Sequence, residues 1–148
     1  LYNGLLQLML FLIVACIPAY LTKRMSYVDI AWPWGLVLIG ALVLLLGDGY
    51  KPRIFLISGM YLFSGLRMGI GALILLKKGH LDSELSRYTY QRRRWEKAGY
   101  KNLDISLQYE IMIQCFANIT FLAIPAILMS TNSTNSIRII SRLAYTYT

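Results

Sequence analysis

The amino-acid sequence predicts an all-α fold, a polytopic transmembrane helical bundle of about four spans. Three observations lead there. The composition is 57% hydrophobic and 15% charged, with a mean hydropathy of +0.52, whereas soluble domains sit near half apolar and a quarter charged. The apolar residues gather into four long runs, 4–21, 30–46, 54–76 and 107–129, and a spanning helix needs roughly 17–25 residues. Finally, the basic residues lie between the runs, eight of the fifteen Lys and Arg within 77–106.

The first run opens at Leu1-Tyr2 without a Met. It lacks a basic leading region and a small-residue cleavage site, so it is expected to be a span and not a signal peptide. The expectation is one transmembrane domain, 1–148, forming the front part of a longer protein. Cys16 in this run and Cys115 in the fourth are far apart in sequence and read as small buried hydrophobes. With no CxxC and a single histidine, His80, no protein metal site is expected.

Residues 22–29 form a short connection, and Ser26-Tyr27-Val28-Asp29-Ile30-Ala31-Trp32-Pro33-Trp34-Gly35 leads into the second run. Local physics accounts for these residues without chemistry. Asp29 suits a helix N-cap, Pro33 the first turn, and Trp32 and Trp34 an interfacial belt. Residues 47–53, with Gly47-Asp48-Gly49 and Pro52, form the next turn.

The third run holds Arg67 near its middle, between Gly65 and Gly69. A central arginine costs at least ~2.5–3.5 kcal/mol on insertion scales, so it requires a partner or water. Leu76 lies about 13 Å further along the helix at ~1.5 Å per residue, too far for easy snorkelling. Gly65 and Gly69 allow another helix close approach. In the fourth run Glu110, Gln114 and Asn118 recur every four residues on one face. That face serves either as a polar partner for Arg67 or as an interhelical hydrogen-bond seam without chemistry. Pro125 beyond it predicts a kink or a helix end.

The long polar connection, 77–106, carries Arg87-Tyr88 and then Arg92-Arg93-Arg94-Trp95. Arginine beside tyrosine at a membrane face suits a phosphate group, while the 92–94 run fits attraction to anionic lipid. Residues 22–29 and 77–106 together hold ten basic residues, against four in the start, the 47–53 turn and the tail. The positive-inside rule therefore puts the first pair in the cytoplasm. The net charge of +8 belongs to this asymmetry and not to nucleic-acid binding, which needs a basic face on a soluble fold.

Val28-Asp29-Ile30-Ala31-Trp32 with Gly35, Asp48-Gly49-Tyr50 with Arg53, Gly65-Leu66-Arg67, and Arg87-Tyr88 occur in a telling order. Together they resemble the steroid 5-alpha-reductase-like membrane proteins, in particular the large reductase-like subgroup related to 3-oxo-5-alpha-steroid 4-dehydrogenase. Gln114 and Pro125 also look like that subgroup, and the resemblance covers roughly residues 25–128.

The resemblance implies an NADPH-dependent oxidoreductase that reduces a carbon–carbon double bond conjugated to a carbonyl, in a steroid-like or other lipophilic substrate. It implies catalytic roles for Asp29 and Arg67 and cofactor contacts from Arg87 and Tyr88. Trp32, Glu110 and Gln114 are the candidate substrate-binding residues. Two departures stand out. Glu84 is followed by Leu85 where the family has Glu-Asp before its Arg-Tyr, and no His-Pro occurs for the family's later cofactor motif. The 148-residue piece is therefore expected to be inactive alone. The alternatives are a relative of the isoprenylcysteine-type carboxyl methyltransferases, which use S-adenosylmethionine, and a non-catalytic membrane subunit or transporter fragment. The endoplasmic reticulum and a bacterial inner membrane are both open as locations.

Overall fold

A computed structural model describes residues 2–80, 83–100 and 102–132; the polar tail, 133–148, lies outside them. Four helices are long and apolar enough to cross a membrane: Tyr2–Thr22, Val28–Leu46, Lys51–Lys77 and Leu103–Thr131. Each contains its predicted run and extends it by one to four residues at most of its ends, because polar end residues keep the helical hydrogen bonds going past the apolar stretch.

Prolines shape two of the spans. Pro18 has no N–H for the Val14 carbonyl and its ring crowds that group. The chain answers with a wider π turn just before it, Leu12–Cys16. The fourth span does the same before Pro125, with a π turn over Asn118–Leu122. The span then continues to Thr131, so the proline leads to a π turn and not to a helix end. Pro33 is also placed differently from expectation. The second span begins at Val28, which puts Pro33 in the second turn, where it supplies no N–H to the Asp29 carbonyl.

The connections sort to two ends. The first span closes at Lys23 in a left-handed conformation, φ 59°. Its ammonium pairs with Asp104 at 2.7 Å, and its carbonyl accepts from Arg92. Residues 22–29 and the 77–106 connection therefore share one end of the bundle. At the other end, Gly49 N–H donates to the Ser130 carbonyl at 2.8 Å, which ties the second turn to the end of the fourth span.

The long connection contains a helix that no apolar period announced, Ser86–Lys97. Its inward stripe is only Tyr88 and Trp95, seven residues apart, and both pack against the bundle's buried cluster. That cluster joins Phe11, Ala15, Val28, Ala31, Ile111 and Cys115. Cys16 and Cys115 are buried there as unoxidised thiols, as expected. A second cluster, centred on Ile39, Val43, Ile54 and Ala123, fills the far end. Large apolar side chains such as Phe63 and Phe121, 73% and 82% exposed, cover the outside, where lipid is their natural solvent.

The second and third spans lie closest. A Cβ on Gly65 would stand 2.8 Å from both the Pro33 carbonyl oxygen and the Val37 nitrogen, and one on Gly69 would stand 3.1 Å from the Trp34 indole nitrogen. Ser58 Oγ donates to the Gly40 carbonyl at 2.8 Å across the same seam. The glycine pair thus works as a close-approach surface.

Candidate functional site

Asp29 lies in the first turn of the second span, where a carboxylate is favoured by the helix dipole. It does not act as the N-cap, since Tyr27 holds that position. Its side chain turns to the connecting helix instead. Tyr88 Oη donates to Asp29 Oδ1 at 2.7 Å, and the Arg87 guanidinium forms an ion pair with Asp29 Oδ2. Arg87 also stacks over the Tyr88 ring at 4.8 Å. Three residues named from sequence thus meet in one junction.

The electrostatics follow from that geometry. Burial, the bond to Asp29 and that carboxylate's charge push the Tyr88 hydroxyl well above the ordinary tyrosine value, against the opposing pull of Arg87. Tyr88 therefore keeps its proton across the physiological range. Burial pulls the Arg87 guanidinium down, but the bond to Asp29 and the neighbouring Tyr88 outweigh it, and its value is held up. Arg87 remains 61% exposed against 25% for Asp29, so its other donors face outward.

Beside the junction, Glu84 forms a clasp that sequence reasoning discounted because Leu85 follows it. Its carboxylate accepts from the Met25 N–H at 3.0 Å and the Ser26 hydroxyl at 2.8 Å. It also faces Arg92 at 3.6 Å. These contacts fix the approach of the connecting helix to the second span. Arg92 is thereby spent on the protein's own backbone and carboxylate, while Arg93 and Arg94 stay exposed. Two acidic residues, Asp82 and Glu84, just before a basic helix gave the available hint.

Trp32, one turn beyond Asp29, donates from Nε1 to Gln114 Oε1 at 3.1 Å. It joins the second and fourth spans and packs on the inner cluster, so it is not part of an interfacial belt. Trp34 likewise turns inward, against Gly69. Glu110 is half-buried on the fourth span, outside the junction's bonds.

The expected pairing of Arg67 with Glu110 or Gln114 does not form. Gln114 is taken by Trp32, and Arg67 is exposed. The reason is helical phase. Gly65 and Gly69 face the second span, and a residue midway between them points about 200° away at ~100° per residue.

Deeper in the same column lie further amides. Gln7 Nε2 donates to the Gly35 carbonyl at 2.9 Å, and Asn118 is fully buried beside them. Asn3 and Gln7 were not singled out in the sequence, although two amides four residues apart in an apolar run are a readable signal.

An all-helical bundle of four membrane-length spans, closed at one end by a junction of carboxylate, guanidinium and phenol, is an integral membrane protein with a chemically equipped face. Residues 15–148 match the profile of the family described as protein of unknown function DUF1295, and the chain belongs to that family. Comparison with curated proteins and with solved structures gives no match.

Proposed function

We propose that the chain is part of a membrane reductase that uses NADPH to reduce a carbonyl-conjugated carbon–carbon double bond in a lipophilic substrate. The observation that carries this reading is the Asp29–Arg87–Tyr88 junction, which joins the residues singled out by the resemblance. A groove of about 680 Å³ between the first three spans adds support. It is lined by apolar residues including Leu10, Val14, Ile30, Val37 and Leu73, and it reaches Tyr27, two residues before Asp29. A lipophilic molecule entering from the bilayer is suited to such a surface.

The donor set at the junction fits one phosphate of the cofactor. Arg87 is permanently charged and outward-facing, and a guanidinium binds phosphate in fork geometry. Bound NADPH supplies the hydride. The chain's own part is to hold a phosphate with Arg87 and to present an acid to the substrate's carbonyl oxygen. The Tyr88 hydroxyl has one proton and donates it to Asp29 Oδ1, so acting as the acid requires that O–H to turn from Asp29 to the substrate's carbonyl oxygen, with Asp29 positioning the phenol beforehand. Arg67, on the outward face of the third span, has no role in this reading.

The test is enone-dependent loss of NADPH absorbance by the full-length protein in lipid nanodiscs, with a panel of lipophilic enones. The expected result is turnover that falls about 100-fold or more in Asp29→Asn and Tyr88→Phe, the usual range for general-acid groups. Turnover with no enone in the panel, or full turnover in both variants, rejects the proposal.

A further inference from the structure

Three amide side chains are buried inside the bundle, away from the charged junction, and two of them, Gln7 and Asn118, meet at Gly35. Gln7 and Asn118 are fully buried and Asn3 is 8% exposed. Gln7 and Asn3 lie one turn apart on the first span. Asn118 sits at the start of the π turn of the fourth span, and Gly35 of the second span lies between them. The missing Cβ of Gly35 is what admits them. A Cβ there would stand 2.8 Å from Gln7 Oε1 and 3.2 Å from Asn118 Nδ2.

The hydrogen bonds of this node do not close. Gln7 Nε2 donates to the Gly35 carbonyl, which fixes Gln7 Oε1 as an acceptor. That oxygen, Asn3 Oδ1, and both Asn118 Oδ1 and Nδ2 have no hydrogen-bond partner among the described residues. Turning the Asn118 amide over leaves the same shortage, since one donor group cannot serve three carbonyl oxygens in separate positions. In a membrane interior no bulk water is at hand, so unpaired amides are strongly disfavoured. What is short is an O–H: a group that donates to a carbonyl oxygen and accepts from an amide N–H.

We propose that Gln7 and Asn118 around Gly35, with Asn3 one turn away along the first span, form an intramembrane site for a hydroxyl, supplied either by water or by the alcohol of an amphipathic lipid. Gln7 Oε1 and Asn118 Nδ2 lie 2.8 Å and 3.2 Å from the Cβ position of Gly35, so they are at most about 6 Å apart, a separation that one oxygen hydrogen-bonded to both can span. The site continues a polar column on the second span. Asp29 meets Tyr88, Trp32 meets Gln114 one turn deeper, and Gly35 meets Gln7 one turn deeper again. The hydroxyl site is the inner end of that column, and it stands independently of the reductase reading.

The test is proton-detected solid-state NMR on the full-length protein in phosphatidylcholine bilayers with deuterated acyl chains, with and without 1-dodecanol. The side-chain NH₂ of Asn118 is expected to correlate with an O–H proton. Correlation at the water frequency in plain bilayers assigns the site to water. Correlation that appears only with dodecanol assigns it to a lipid alcohol. Absence of any O–H correlation in both samples overturns the proposal. A thermal measurement provides a second check. Asn118→Leu removes part of an occupied site and is expected to lower the unfolding temperature, whereas a dry, unpaired amide would be relieved by leucine and the temperature would rise, overturning the proposal.

Discussion

At Asp29 two groups from a helix 58 and 59 residues further along the chain converge on one carboxylate. Sequence order and resemblance brought these three residues to notice, but assigned Asp29 to the substrate and Arg87 and Tyr88 to the cofactor as separate duties. Their direct contact was not legible, because no local pattern records which side chains meet across a connection. The contact makes a pH-dependent prediction. Tyr88 has a folded-state value raised above its unfolded one. The stability it contributes is therefore fully present below the unfolded value of about 10 and is lost as pH rises beyond that. Tyr88→Phe deletes a hydrogen bond to a charged group, worth roughly 1.5–3 kcal/mol. Thermal unfolding in nanodiscs should show the variant several degrees below the parent at pH 7. That gap should narrow progressively above pH 10. A gap that widens in alkali would contradict the assignment.

The helical elements divide by how their order is encoded. The spans were legible because length and hydropathy fix them. The Gly65–Gly69 spacing also foretold a close contact, and the second and third spans make it. The connecting helix Ser86–Lys97 was not legible, since a helix with two inward aromatic residues and no apolar period depends on tertiary contact for its stability. Arg67 misled for a related reason. The cost of a buried arginine is real, but its phase opposite the glycine face directs it outward. A matched pair of substitutions tests the packing. Gly65→Ala drives a methyl into the backbone of the second span at Pro33 and Val37, whereas a Cβ on Gly59 meets nothing within 4 Å. Gly65→Ala should lower the unfolding temperature by several degrees, as overpacking of about 1–3 kcal/mol does. Gly59→Ala should leave it level or slightly raised. Equal responses from the two variants would mean that the seam is looser than described.

For the whole molecule, charge distribution and hydropathy already grouped the two basic connections at one end of a four-span bundle. The two basic connections occupy one end, held together by Lys23–Asp104 and by the Glu84 clasp. The interior polar column was only partly legible. The face of Gln114 and Asn118 was visible at four-residue spacing, but its partners were not, because pairing depends on how three helices rotate against each other. The central claim is that the charged junction at the end of this column receives a phosphate of NADPH. Titration of NADPH fluorescence against the full-length protein tests it most directly, comparing Arg87→Ala with Arg93→Ala. Both arginines are on the connecting helix and both are exposed, but only Arg87 belongs to the junction. A charge-assisted contact of ~1.5–3 kcal/mol corresponds to about tenfold or more in affinity. The account predicts that loss for Arg87→Ala and less than about twofold for Arg93→Ala, whose contribution is only a screened surface charge. Equal weakening in the two variants, or normal affinity in Arg87→Ala, would show that the phosphate binds elsewhere.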